Sequence, residues 1–262
     1  MDIWGIFILQ PMLNALLFLY QLLFHNFTLA ILVFTIIIRL ITYPLTASQQ
    51  KSTRKLTELQ QSDSWKKIQE KYKGDKEKLA QEQMRVYQEA GVSPFGACLP
   101  TLIQFPVLIG LYQAIQQAMA ASPVQLFDLS RHLYPFLPNA ASLIPIDSRF
   151  LWLNLGLPDQ LFVLPILVAV SMYVQSKMIT PPGTGDQQAA QMSQSMTLTM
   201  PLMFGWFSLS FPSGLSIYFI ISNLIGIAQT AITQPVDWKN VFSFSLGPAR
   251  APAVPAKARR KQ

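Results

Sequence analysis

A single arginine stands inside an apolar stretch of this chain. Arg39 lies in Phe27–Ile41, which otherwise carries no charge. A guanidinium stays protonated in proteins, so Arg39 remains a cation wherever the fold places it. At the centre of a membrane-spanning helix, a charged side chain costs about 2.5–3.5 kcal/mol on insertion scales. This cation therefore needs water or a partner, and it could bind an anionic group.

The surroundings of Arg39 favour water over an ion pair, because the other apolar stretches contain no Asp or Glu. Thr35 and Thr42 lie four residues before and three residues after Arg39, on the same helix face. We expect this polar stripe to face a water-filled cavity. For a single Ser, Thr or Asn in the predicted spans, helix–helix hydrogen bonding is the favoured interpretation. The other polar residues there are Gln104, Gln113, Gln175, Ser208, Ser216, Ser222, Asn223 and Gln229.

The composition indicates an all-α polytopic membrane protein. Of the 262 residues, 51% are hydrophobic and 13% are charged, whereas soluble domains carry about 25% charged residues. Five stretches are near the length of about 20 residues that a spanning helix needs, although the fourth is short. The predicted transmembrane helices are Thr28–Ser48, Pro94–Ala118, Gln160–Ile179, Met196–Phe211 and Gly214–Thr233.

The basic residues predict the orientation of these five spans. Ten of the 20 Lys and Arg fall in Gln49–Ser93 and six in Gln234–Gln262, whereas residues 1–38 have none. Under the positive-inside rule, the N-terminus lies outside and the C-terminus in the cytoplasm. The five-span core then covers 27–234, with a cytoplasmic helical hairpin at 49–93 and an outer loop at 120–159. Residues 235–262 are predicted to form a basic, disordered cytoplasmic tail.

The N-terminal residues 1–26 are a sixth apolar segment. Ile3–Phe24 contains Gln10, Asn14 and Gln21, and its start has no basic flank. We predict an interfacial amphipathic helix that lies along the membrane surface; a membrane-spanning helix is the alternative. In the hairpin, Lys73–Asp75 is predicted to separate two helices, with Asp75 as an N-cap and Gly91 as a C-terminal stop.

Constellations for catalysis are missing from the sequence. His25 and His132 lie outside the predicted spans, and Cys98 is the only cysteine. No Gly-rich phosphate loop precedes a Lys-Ser or Lys-Thr pair, and the spans hold no paired aspartates. We therefore predict no catalytic residue, no cofactor and no metal site, and a protein that is not an enzyme. The net charge of +7 largely follows from topology and requires no DNA partner.

Three segments, in this order, resemble the YidC/Oxa/Alb membrane insertases. Phe34–Thr46 is similar to the first span of that family, with its Arg and the following Tyr-Pro-Leu. Gly91–Pro106 is similar to the second span and its lead-in, and Phe211–Asn223 to the last span. The resemblance covers about Asn26–Gln234. It implies an insertase that helps new membrane proteins enter the bilayer, through a hydrophilic groove open to the cytoplasm and to lipid.

The resemblance also implies site residues and partners. The groove arginine and threonine of the family correspond to Arg39 and Thr35, and its third-span glutamine to Gln175. The partners would be nascent membrane proteins and the lipid bilayer, with the ribosome and the Sec translocon left open. The location would be a bacterial inner (plasma) membrane, with a plastid membrane as the alternative. The apolar slide that contacts the passing segment corresponds to Phe105, Leu108, Tyr218 and Phe219.

Two functions of other classes stay open from the residues alone. A small-solute or anion transporter would use Arg39 to bind its cargo, and it would be favoured by internal repeats, which we do not find. An assembly scaffold that inserts nothing would leave the charge of Arg39 dispensable.

Overall fold

The computed structural model describes residues 3–72, 74–91, 99–119, 129, 132–134, 146–179 and 187–233. This part of the chain is mostly helical, as predicted. The tail 235–262, most of the loop 120–159, and Lys73 and Pro94–Cys98 lie outside the described residues. The helices are α1 (Gln10–Leu22), α2 (Phe27–Gln61), α3 (Asp63–Lys71), α4 (Lys76–Glu89), α5 (Leu99–Ala118), α6 (Val163–Ile179), α7 (Gln187–Ser208) and α8 (Ser213–Thr233).

Several helices could cross a membrane. Within the described residues, Gly5–Leu22, Phe27–Gln60 and Ser213–Thr233 are long and apolar enough by length and composition. Val163–Ile179 is a shorter apolar helix. The structure therefore agrees with a helical membrane protein. The count of five spans stays a prediction.

Helix α2 is longer than the first predicted span. It starts at Phe27, where the side chain of Asn26 accepts a hydrogen bond from Leu29 N at 3.1 Å. It then continues through Pro44 to Gln61, 13 residues beyond the predicted end at Ser48. The first predicted span and the first part of the 49–93 segment are therefore one continuous helix. The break at Ser62, whose hydroxyl caps α3, was not predicted.

Helices α3 and α4 pack against each other through aromatic side chains. Trp65 is buried, with its ring centroid 5.1 Å from that of Tyr87. Gln60 donates a hydrogen bond to the Tyr87 hydroxyl at 3.1 Å. The predicted caps are confirmed: the Asp75 side chain accepts from Lys78 N at 3.1 Å, and Gly91, just past α4, has φ +63°. The hydrogen bond from Lys78 N lowers the pKa of Asp75, because it stabilises the charged carboxylate.

The N-terminal segment has one buried and one exposed apolar face. It consists of a π-helical turn, Gly5–Leu9, followed by α1. Leu13 and Leu16 are fully buried in the core, where α1 packs against α2 and α5. Asn14 binds the segment 132–134: its amide donates to His132 O at 2.9 Å and accepts from Tyr134 N at 2.8 Å. On the other face, large side chains are exposed, namely Ile3, Phe7, Phe18 and Leu22.

A short β-hairpin connects to the start of α8. Strands β1 (Arg149–Phe150) and β2 (Leu153–Asn154) pair antiparallel, with Arg149 opposite Asn154. The carbonyl oxygens of Leu155 and Leu157 then accept hydrogen bonds from Gly214 N at 3.0 Å and Ser213 N at 2.8 Å. These bonds satisfy amide groups that the first turn of a helix leaves unpaired. The hairpin is therefore fixed to the beginning of α8, and no sequence pattern predicted it.

Candidate substrate-binding site

Arg39 is held by a neutral partner on another helix. Its Nε donates to the hydroxyl oxygen of Ser222 at 2.8 Å, and a terminal guanidinium nitrogen donates to the same oxygen. Ser222 is buried in α8, whereas Arg39 is half-buried on α2. A hydroxyl can accept these protons, but it brings no negative charge. The cation is therefore positioned without being neutralised by this contact.

The polar contact continues from Arg39 to a third helix. Tyr218 lies one turn before Ser222 on α8, on the same helix face. Gln104 of α5 donates a hydrogen bond to the Tyr218 hydroxyl. Tyr218 is only 2% exposed. It therefore joins α5 to α8 from within the bundle, and its place in the apolar slide stays a prediction.

The hydroxyls of the two threonines near Arg39 donate hydrogen bonds to backbone carbonyls of their own helix. Thr35 donates to Ile31 O at 2.6 Å, and Thr42 donates to Ile38 O at 2.8 Å. Thr35 is fully buried, so it does not line open space in this structure. Both residues do lie on the helix face of Arg39, as predicted. Their hydroxyl oxygens keep acceptor capacity, but they do not neutralise the guanidinium.

Gln175 of α6 packs against α8 one turn beyond Ser222. Its carboxamide packs on Gly226 so closely that a Cβ built there would lie 2.9 Å from Gln175 Cδ. Gly226 follows Ser222 by four residues, on the same helix face. A close approach of a side chain to a backbone is a position where only glycine fits without movement. The structure therefore brings Gln175 and the partner of Arg39 to the same stretch of α8.

Aromatic rings form a continuous chain from α5 through α7 to α8. Tyr112 contacts Phe211, and Phe204 contacts Phe219, which in turn contacts Tyr218. Phe207 connects the two halves, with centroids 6.1 Å from Phe211 and 6.5 Å from Phe204.

Of the predicted slide residues, Phe105 is 48% exposed, and Leu108 and Phe219 are half-buried against the core. The sequence pointed to α5 and α8, and the aromatic contribution of α7 was missed. No signal in the sequence distinguishes these α7 rings from ordinary apolar residues that face lipid.

Other polar residues in the bundle join helices in neutral pairs, as predicted. The hydroxyls of Ser208 and Ser216 lie 2.6 Å apart between α7 and α8, and Asn223 donates to Ser171 of α6 at 3.0 Å. In the part of the chain that the structure describes, no group of three or more His, Cys, Asp or Glu could hold a metal ion.

Comparison with known proteins relates this chain to membrane insertases. The model of the family described as "60Kd inner membrane protein" matches residues 18–239. The chain is 32% identical over 240 residues to "Membrane protein insertase MisCA" of Bacillus subtilis, covering 90% of this chain and 81% of that protein. It is 33% identical to "Membrane protein insertase YidC 2" of Bacillus anthracis, covering 83% of that protein.

Other relatives are longer than this chain. "Membrane protein insertase YidC" of Syntrophobacter fumaroxidans is 36% identical, but the chain spans only 37% of its length. A solved structure described as "Active YidC insertase crystal structure with the first transmembrane domain resolved" matches with a TM-score of 0.54 and 28% identity, covering 82% of this chain and 43% of that one. The chain therefore belongs to the 60Kd inner membrane protein family, the family of the YidC-type membrane protein insertases.

Proposed function

We propose that this chain is a membrane protein insertase. It binds nascent membrane proteins in a polar groove around Arg39 and releases them laterally into the bilayer. One observation carries the proposal: in a chain of the insertase family, a half-buried arginine is held by the hydroxyl of Ser222, and it forms no ion pair with a carboxylate of the described residues. Its positive charge stays available to an anionic group of a substrate.

The proposed topology has five spans, made by α2, α5, α6, α7 and α8. Contacts between Arg39 and Ser222 and between Gln50 and Thr230 make α2 and α8 parallel. The basic residues favour a cytoplasmic position for the segment 49–93 and the tail 235–262, with the loop 120–159 outside. Residues 1–26 lie along the outer surface as an interfacial helix. The location is a bacterial plasma membrane.

The depth of Arg39 suits an electrostatic role. It lies 13 residues after Asn26, about 20 Å along α2 at about 1.5 Å per residue. In a hydrocarbon core about 30 Å thick, this places the charge in the cytoplasmic half. An acidic tail entering from the cytoplasm would meet the guanidinium after a short path. The low dielectric around the bundle strengthens their attraction relative to bulk water.

Release of the substrate depends on apolar burial. Once the tail is drawn in, the apolar segment behind it can contact Phe105, Leu108 and Phe219 and then leave into lipid. Each Å² of apolar surface removed from water contributes about 25 cal/mol. In this proposal the partitioning of the substrate supplies the free energy, and no nucleotide or other cofactor takes part.

The remaining site residues support Arg39 in the proposal. Thr35 lies one turn away on α2, and Gln175 of α6 packs against Gly226 of α8, one turn past Ser222. Tyr218 accepts a hydrogen bond from Gln104 and lies one turn before Ser222 on α8. The direct partners are nascent membrane proteins and lipid. A ribosome at the basic tail and a Sec translocon are further partners that the proposal allows but does not require.

Reconstitution into liposomes tests this function. The substrate is a single-span protein with an acidic N-terminal tail, and insertion is read as protection of that tail from protease. Wild type and Arg39→Lys should protect the tail, and Arg39→Ala should not. Arg149→Ala is the matched control, because it removes an exposed positive charge outside the proposed groove.

The other outcomes separate the alternatives. Equal insertion by all variants would show that the charge of Arg39 is dispensable, and would leave an insertase that works without it. No insertion above empty liposomes would refute the insertase function and favour the scaffold or the transporter. Saturable flux of a small anion in the same liposomes would identify the transporter.

A further inference from the structure

Exposed apolar side chains occupy strained backbone positions in this protein. Among the described residues, four that are not glycine have positive φ: Phe24, His25, Leu151 and Phe162, with φ between 55° and 60°. Three of them are large and apolar. The exposed fraction is 92% for Phe24, 76% for Leu151 and 57% for Phe162. These three residues are referred to below as the turn triad.

The residue types of the turn triad are unusual for turns that face water. Left-handed backbone conformations are normally taken by Gly or Asn, because a Cβ is crowded there. A bulky residue in such a conformation costs on the order of 1–3 kcal/mol. In a turn that faces water, an exposed Leu or Phe side chain makes no interaction that would offset this cost. An apolar environment outside the protein would recover it through burial of the side chain.

All three turns lie at one end of the helix bundle. Phe24 precedes α2, and Phe162 immediately precedes α6. Leu151 is at the tip of the β-hairpin, whose following residues bind the start of α8. The starts of α2 and α8 are adjacent, since a Cβ at Gly214 would lie 3.2 Å from Ile31 Cδ1.

Asp159 connects the hairpin to α6. It is buried and accepts hydrogen bonds from Trp152 Nε1 at 3.3 Å and from Leu161 N and Leu164 N at 3.0 and 2.8 Å. One carboxylate therefore holds the hairpin tip and the beginning of α6 together. The starts of α2, α6 and α8 form a single end of the bundle.

The segment 150–176, which contains two of these turns, has a single charged residue. Between Arg149 and Lys177, Asp159 is the only charged residue in the sequence, and it is 5% exposed. Beside the triad, Trp152 is 51% exposed and Leu161 is 61% exposed. The same apolar surface continues down α6 through Ile166 and Val170, which are also exposed. Tryptophan with its N–H bonded and its ring exposed is typical of a membrane interface.

We propose that the turn triad anchors this end of the bundle in the boundary between headgroups and acyl chains of one phospholipid leaflet. The proposed topology makes this the outer leaflet. The anchor rests on the placement of the helices in a membrane, and it does not depend on insertion activity. It fixes the depth of α2, α6 and α8 together, and so the depth at which Arg39 meets a substrate.

Spin labels can measure the depth of each turn. Cys98 is the only cysteine, so Cys98→Ser gives a background for single cysteines at positions 24, 151 and 162. The labelled full-length protein is reconstituted into phosphatidylcholine–phosphatidylglycerol vesicles. Accessibility to oxygen, which concentrates in lipid, is compared with accessibility to a water-soluble nickel chelate. Ile166→Cys is the lipid control, and Asp147→Cys and Arg149→Cys are the water controls, because both side chains are exposed at the base of the hairpin.

The expected ratio of oxygen to nickel accessibility at the three turns is several-fold above that at 147 and 149. Labels at 151 and 162 that match position 149 would overturn the proposal. Leu161→Cys covers the case in which a cysteine at a strained position does not fold, since it reports the same surface from ordinary backbone. A water-like reading at 166 would contradict the membrane placement of α6 itself. That result would refute the topology together with the anchor, whereas insertion activity is measured separately.

Discussion

Helix α8 uses hydroxyl and amide groups in two different ways. Toward α6 and α7, Ser216 faces Ser208 and Asn223 faces Ser171, so each polar group meets a neutral partner of matching capacity. Toward α2, the Ser222 hydroxyl faces a guanidinium. Arginine carries five donors, and this contact uses two of them on one oxygen. The neutral pairs are satisfied within the protein. The contact between Ser222 and Arg39 leaves the positive charge and the other guanidinium donors available to a ligand.

This difference separates packing from binding. A satisfied neutral pair in a dry helix contact stabilises the bundle by a modest amount and offers nothing to a ligand. A half-buried cation with a neutral partner is unfavourable for stability, because its desolvation is not offset by an opposite charge. We therefore expect substitutions near Arg39 to change function more than stability, and substitutions at the neutral contacts to do the reverse.

The largest effect is expected for Arg39→Met. The apolar side chain keeps much of the length and removes the charge, so insertion of a substrate with an acidic tail should fall by on the order of tenfold or more, about 1.4 kcal/mol per factor of ten. Stability should change in the opposite direction, with a gain in the free energy of unfolding of about 1 kcal/mol. Tail protection in liposomes and thermal unfolding in detergent measure the two quantities.

Arg85→Met is the matched control for that prediction. Arg85 is exposed on α4 and paired with Glu82 and Glu89. Its replacement should leave insertion unchanged and should not raise the thermal midpoint. If Arg39→Met instead lowered stability clearly, the guanidinium would be a structural group and the contrast between the two sides of α8 would fail.

Two glycines allow the same substitution to be compared in both regions. A Cβ at Gly205 of α7 would lie 2.9 Å from Ala169 Cβ and 3.3 Å from Pro165 O, atoms that cannot move without the helices. Gly205→Ala should therefore lower the free energy of unfolding by about 1–3 kcal/mol. A Cβ at Gly226 would meet the flexible end of Gln175. Gly226→Ala should cost less than about 0.5 kcal/mol.

For insertion activity, the order of the two glycine substitutions should be the reverse of their order for stability. Gly226→Ala displaces the Gln175 amide, so it should lower insertion two- to threefold, or about 0.5 kcal/mol. Gly205→Ala should leave insertion per folded molecule unchanged. Thermal unfolding and tail protection, measured on the same preparations, decide between these outcomes. Equal losses of stability for both variants would show that Gln175 is packed as rigidly as Ala169.

Local signals in the sequence predicted the parts of this fold that depend on local physics. The cap at Asp75 and the stop at Gly91 follow from side-chain and backbone preferences within one turn. Thr35 and Arg39 follow from helical periodicity. The continuation of α2 to Gln61 was missed because Pro44 and the charges after Ser48 suggest the end of a helix. At Ser48 the sequence changes from apolar to polar, but the helix itself continues.

The partner of Arg39 could not be identified from the sequence. Ser222 is 183 residues away, and it was interpreted, like other serines in the spans, as a helix–helix contact. Its position one turn after Tyr218 was the only available signal. The strained turns at Leu151 and Phe162 were missed for a related reason: a left-handed turn is expected at Gly or Asn, and these residues gain from surroundings that the sequence alone does not specify.

The smallest effects on insertion concern the serines of α8. Ser216→Ala should leave the buried hydroxyl of Ser208 without its partner and cost about 1 kcal/mol, whereas the double variant Ser208→Ala/Ser216→Ala should be nearly neutral.

Ser222→Ala removes the acceptor of Arg39, but water in the groove can replace it. It should therefore alter stability by less than about 0.5 kcal/mol and weaken insertion about twofold as the guanidinium loses its fixed position. Thermal unfolding of the three variants, with tail protection for each, checks the series. A loss of stability in Ser222→Ala as large as that in Ser216→Ala would mean that no water reaches Arg39. The contact between Ser222 and Arg39 would then be a packing contact of the same kind as the contact between Ser216 and Ser208.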